Sequence, residues 1–245
     1  MTSRAIVAIA IAAACSSPTE PSPRHGPLGS GAAAAAPSDA RVLRTYMREH
    51  FAAASRLQRS IAHGRLDDAR QRARWLLDQD EDVLDGWQPF VDELRAAARD
   101  VAGAEGLAAA RAPTARLGQA CSHCHLARAA VVSFAWEPAL DDDPALEVQR
   151  KRHQWAAARL WEGLIAPSDE MWREATEVLS AVKLDSVLAT GATPRGDVAA
   201  IAAKLRELAR RAASLTGQDE RAGVYGDLLA TCAGCHQLIH TRAAH

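Results

Sequence analysis

Aromatic side chains are scarce in this 245-residue chain: they make up 4% of it, as six tryptophans, three phenylalanines and two tyrosines. β-Branched residues are also thin on the ground, which disfavours a sheet protein. The formal net charge is -1, so there is no basic excess to neutralise a phosphate backbone, and nucleic acid is not expected as the main partner. The apolar run from Ala5 to Ala14 falls well short of the roughly twenty residues that span a bilayer. Cysteine is rare too, and its count of five is odd. What is abundant is alanine, at 55 residues. Alanine is the best helix former, so composition alone predicts helices.

The chain opens with MTSR, one positive charge, and then the apolar run up to Ala14 and Cys15. This order, a charged start followed by a short apolar stretch, is that of an export signal. Three alanines directly before a cysteine resemble the processing site of bacterial lipoproteins, which implies that Cys15 becomes the first residue and carries lipid. An ordinary cleaved signal is the alternative. Residues 16–37 hold five of the eleven prolines along with several Gly and Ser, a composition that cannot build a core and reads as a flexible linker.

From Ser38 the pattern turns helical. Helices are expected over about 38–62, ended by Gly64, then 66–78, 88–103 and 113–127, with Pro113 opening the last. A second set is expected near 144–165, 168–183, 195–214 and 218–240, with Ser168 and Thr193 as N-caps. The halves also align: the stretch from His50 to Leu57 matches that from His153 to Leu160 at an offset of 103, and Ile61, Arg70 and Leu76 then meet Leu164, Arg173 and Leu179. The expected fold is all-α, two tandem four-helix bundles from an internal duplication, occupying residues 38–138 and 139–245.

Each half ends in the same motif. Cys121-Ser-His-Cys124-His125 and Cys232-Ala-Gly-Cys235-His236 are both C-x-x-C-H, the attachment signature of c-type haem. Two cysteines three apart present their sulfurs to one porphyrin edge, and the adjoining histidine becomes an axial iron ligand. A zinc ribbon would bring its cysteine pairs much closer in sequence, and a thioredoxin-like site would follow a strand. Structural disulfides do not explain the repeated histidine. Two covalently bound haem c groups are therefore expected, with His125 and His236 as proximal ligands.

With this motif on the last helix of an alanine-rich bundle, the chain resembles the class II cytochromes c, cytochrome c-prime and its low-spin relatives. The resemblance covers about residues 38–130 and 144–240 and implies a sixth iron position facing the first helix of each bundle. That family usually places Met or an apolar side chain there; this chain offers histidine. His50 lies on one face with Leu43, Met47, Ala54, Leu57 and Ile61, and His153 lies likewise with Leu146, Ala157, Leu160 and Leu164. Met47 competes in the first half, but its counterpart is Arg150, which cannot ligate. His50 and His153 are the expected distal ligands. His25, His63, His123, His240 and His245 read as incidental, and the tryptophans as packing.

The expected function is that of a periplasmic, membrane-tethered dihaem cytochrome, an electron carrier rather than an enzyme, serving redox partner proteins. Rival readings are a gas-binding or gas-sensing haem protein with an open sixth position, and a dihaem peroxidase. The cysteine count then closes as one lipid anchor plus two thioether pairs.

Overall fold

The computed structural model describes residues 37–79, 86–135, 137–184 and 195–243. Cys15, the signal and linker through residue 36, His25, Trp136, Thr193 and His245 lie outside the described residues, as do the side chains of Ser38 and His240. The chain divides into a unit ending at Arg41 and a unit from Val42 to His245, and every contact below belongs to the second.

The described residues are all-α, in eight helices: α1 Pro37–Ala62, α2 Leu66–Leu77, α3 Gln88–Ala102, α4 Leu107–Ala127, α5 Leu146–Ile165, α6 Asp169–Ala181, α7 Arg195–Ala213 and α8 Gln218–Ala243. Among those residues no strand occurs, and no helix is long and apolar enough to cross a membrane.

Local chemistry explains the end of α1 and the start of α6. Gly64 has φ +75°, a left-handed conformation that a side chain resists. The Gly64 amide donates to the Ile61 carbonyl, and the Arg65 amide donates to that of Ser60 at 2.8 Å. This is the Schellman arrangement, and it closes α1. Ser168 caps α6 by accepting a hydrogen bond from the Met171 amide. The start of α4 differs from expectation. It begins at Leu107, after Gly106, and Pro113 lies inside the helix. Proline removes one helical hydrogen bond, but the run from Leu107 to Ala112 is so rich in helix formers that the first turns hold regardless.

One hydrophobic core runs through helices of both halves, from Leu57, Ile61 and Leu76 through Leu117 to Leu160, Leu164, Leu208 and Leu229. The two motif-bearing helices, α4 and α8, lack a one-sided apolar stripe and occupy the middle of the assembly, packed against each other. Small residues permit that approach: Gly226 of α8 faces Ala112 and Ala115 of α4. Polar ties flank it, with Arg111 paired to Asp227 at 2.7 Å and the Gln119 amide donating to Asp219 at 2.6 Å.

α4 also packs on α5, where Gly118 lies under the Trp161 ring and Leu164. Trp161 is buried, donates its Nε1–H to Ser55 Oγ of α1 at 3.0 Å, and stacks near Tyr225 of α8. The outer helices follow in order. α3 covers α2 and α4, α6 covers α5, and α7 bridges α6 and α8. The acidic run Asp141-Asp142-Asp143 before α5 is tied down at Asp142. Asp142 accepts from Lys183 at 2.6 Å and from Gln149 at 2.8 Å, and these contacts hold its carboxyl below the usual range.

Candidate functional site

Helix α4 carries Cys121, Cys124 and His125 in its final turns, and α8 carries Cys232, Cys235 and His236. All four of these cysteines are free and partly buried. Burial, with the charge of the companion cysteine next in importance, pushes the thiols of Cys121 and Cys232 up to about 12. Burial raises Cys124 and Cys235 as well. These surroundings are the reverse of the electropositive ones that activate a nucleophilic thiolate, so disulfide-exchange chemistry of the thioredoxin kind finds no support here.

The two motif histidines are held in the same way, and each is held by the opposite half. His125 donates its Nδ1–H to the Ile165 carbonyl of α5 at 2.8 Å. His236 donates its Nδ1–H to the Ala62 carbonyl of α1 at 2.6 Å. Ala62 and Ile165 are separated by 103 residues, the offset that relates His50 to His153. Each is the last residue of its helix. Final-turn carbonyls have no partner within their helix and sit at the negative end of its dipole, so they are strong acceptors for an imidazole N–H. A carbonyl can only accept, so Nδ1 carries the proton in both rings. The lone pair of each imidazole then lies on Nε2.

The expected distal histidines occupy different surroundings. The His153 ring stands edge-on to that of His236, with centroids 6.5 Å apart and planes inclined by 75°. Burial, and then the neighbouring His236 and His63, lower its pKa to about 4, which keeps His153 neutral. Its Nδ1 is buried and has no hydrogen-bond partner. In the first half His50 is buried, donates Nδ1–H to the Tyr46 carbonyl one turn back at 3.0 Å, and packs against the rings of Tyr46 and Trp75. Nε2 is the nitrogen which that bond leaves over. The structure thus brings His153 to His236, whereas the contacts seen for His50 are with Tyr46 and Trp75. Met47, its competitor, is partly buried on the same helix.

One residue read as incidental is not. His63 stacks on His236, with ring centroids 4.5 Å apart and planes inclined by only 7°. It is the residue between α1 and Gly64, beyond the reach of helical periodicity. No signal in the sequence marks it, because the docking of His236 on that turn is a tertiary contact. Its counterpart is Ala166, so the two motif histidines have unlike neighbours. His123 also has a partner, donating its Nδ1–H to the Glu93 carboxylate of α3 at 2.9 Å. Among the described residues no group of three or more His, Cys, Asp or Glu side chains is arranged to hold a bare metal ion.

No protein-family profile, curated protein or solved structure matches this chain.

Proposed function

We propose that this protein is a dihaem c-type cytochrome that transfers electrons, built from a duplicated four-helix unit whose halves interlock. In this reading Cys121 and Cys124 hold one haem and Cys232 and Cys235 the other. His125 and His236 are the proximal ligands, and His50 and His153 the distal ones. Cys15 carries lipid after export, so that the folded part is tethered by residues 16–37 at the periplasmic face of a membrane.

The observation that carries the reading is the matched Nδ1–H bond of the two motif histidines to equivalent helix-end carbonyls. A metal-ligating histidine characteristically donates its other ring N–H to a carboxylate or carbonyl, which fixes the tautomer and raises the basicity of the ligating nitrogen. The fit of the donors supports it further. His153 and His236, with ring centroids 6.5 Å apart, are the pair that would hold the iron of the second haem. The neutral state of His153 suits a ligand.

When bound, haem would supply a one-electron iron couple. The chain's own residues set its working level. The carbonyls of Ala62 and Ile165, at the negative ends of α1 and α5, make the proximal imidazoles more electron-donating and favour the oxidised iron. With His50 and His153 as ligands beside His125 and His236, the potential would lie below that of a Met/His pair and small ligands would find no open position. The test is a pyridine haemochrome assay with an EPR spectrum of the exported, full-length protein. Two haems per chain and low-spin signals alone are expected. One haem per chain would refute the two-site reading, and a high-spin ferric signal would favour a gas-binding or peroxidatic site.

A further inference from the structure

A cleft of about 290 Å³ opens between α1 and α2, lined by Arg56, Arg59, Arg65 and Arg72 with Ser60 and Gln71. Helical spacing puts Arg56 and Arg59 on one face of α1; Arg65 precedes the first residue of α2 and Arg72 lies on that helix. The lining includes a single carboxylate, Asp68, which sits 3.5 Å from Arg65. No ion pair or hydrogen bond holds the guanidiniums of Arg56, Arg59 or Arg72 among the described residues. Like charges gathered round a concavity repel, and solvent screening only partly relieves the repulsion.

The second half contains its own answer to this arrangement. At the offset of 103, Arg56, Arg59 and Gln71 correspond to Arg159, Glu162 and Glu174. There the arginine is buried and lies 3.4 Å from both carboxylates. Burial raises the Glu162 carboxyl, and Arg159 opposes that effect. The second half therefore closes its site with two built-in carboxylates. In the first half one of those positions is a further arginine and the other an uncharged amide.

We propose that the α1–α2 cleft binds a small dianionic oxyanion, a phosphate or a dicarboxylate, which occupies the place the two glutamates fill in the second half. The cleft is concave and near the lower size limit of small-molecule sites, whereas a protein partner would need a broad, flat surface. Its lining is polar throughout, so recognition rests on charge and on the guanidinium fork, which matches carboxylate and phosphate oxygens in pairs. Ser60 and Gln71 add neutral hydrogen-bonding groups. Arg59 and Arg65 flank the turn whose Ala62 carbonyl accepts from His236. The proposal does not depend on haem.

Isothermal titration of the full-length protein at low ionic strength, with inorganic phosphate in one arm and succinate in the other, tests it and separates the two ligand classes. Saturable one-to-one binding of either is expected. Arg59→Ala and Arg72→Ala should each weaken it about tenfold. Arg173→Ala, an exposed residue of α6 paired with Glu177, should leave it unchanged. The double variant Arg59→Glu/Gln71→Glu writes the second half's residues into the first; it should abolish binding while keeping the helical circular dichroism signal and thermal midpoint. Three results would overturn the proposal: no binding of either anion, full binding by the double variant, or arginine-dependent binding seen only with phosphatidylglycerol vesicles or an oligoglutamate peptide.

Discussion

Gly118 offers the sharpest test of how the two halves meet. A Cβ added there would lie 2.6 Å from Trp161 Cζ3, 2.9 Å from Leu164 Cδ2 and 3.0 Å from Trp161 Cη2. Trp161 is 2% exposed and its indole is held by Ser55, so the ring has nowhere to swing. Overpacking of this kind costs about 1–3 kcal/mol, and straining the bond to Ser55 adds up to about 1. Against this, alanine gains about 1 kcal/mol over glycine inside a helix. The net cost of Gly118→Ala is about 2 kcal/mol, which lowers the thermal midpoint by roughly 4–8 °C in a chain of this size. Gly223→Ala in α8 is the control: nothing lies within 4 Å of its added Cβ, so only the helix gain of up to about 1 kcal/mol remains. Thermal and urea unfolding followed by far-ultraviolet circular dichroism should move the two variants in opposite directions. A Gly118→Ala protein as stable as its parent would refute the close packing of α4 on α5. The effect should also reach the site, because pushing α5 away from α4 lengthens the bond from His125 to Ile165.

Three further outcomes follow from the geometry. Once haem is attached, His153→Ala should produce one high-spin ferric EPR signal and His50→Ala the other; a variant whose spectrum stays wholly low-spin removes that residue as ligand. Gly163→Ala should cost about 2–3 kcal/mol in urea unfolding, because its Cβ would meet the Trp172 backbone nitrogen at 2.9 Å and backbone cannot step aside as a side chain can; a loss under about 0.5 kcal/mol would show that α5 and α6 separate freely. Ser168→Ala removes the cap of α6 and should lower stability by about 1 kcal/mol, with Ser168→Asn recovering most of it; equal midpoints for the alanine variant and the parent would show the cap to be idle.

Much of the helix plan was legible because chain ends of helices are written in local chemistry. Gly64 and Ser168 act through their own backbone freedom and hydroxyl, and both signals survive without tertiary context. Pro113 misled for the converse reason: a proline marks a helix start only when the preceding residues have no helical tendency of their own, and six good helix formers precede it. The motif residues were legible because their spacing is chemical. Their surroundings were not. Periodicity gives the apolar face of α1 or α5 but not the helix that covers it, so nothing in the sequence marked Ala62 and Ile165 as partners of His236 and His125. His63 was missed because it lies past a helix end, where no period applies. The arginine cleft is visible only once α1 and α2 are known to lie side by side.

The crossed anchoring of the motif histidines also bears on the order in which the chain can mature. The bond from His125 to Ile165 spans 40 residues, whereas that from His236 to Ala62 spans 174. As the chain emerges from its N-terminus, the first motif must wait for α5 before its imidazole is fixed. Ala62 comes early but waits for a partner that follows much later in the chain. Contacts between distant residues form late because the intervening loop must first be closed. Docking of the second motif therefore closes the longer loop of the two, and a chain that stops short of His236 leaves the Ala62 carbonyl without that imidazole.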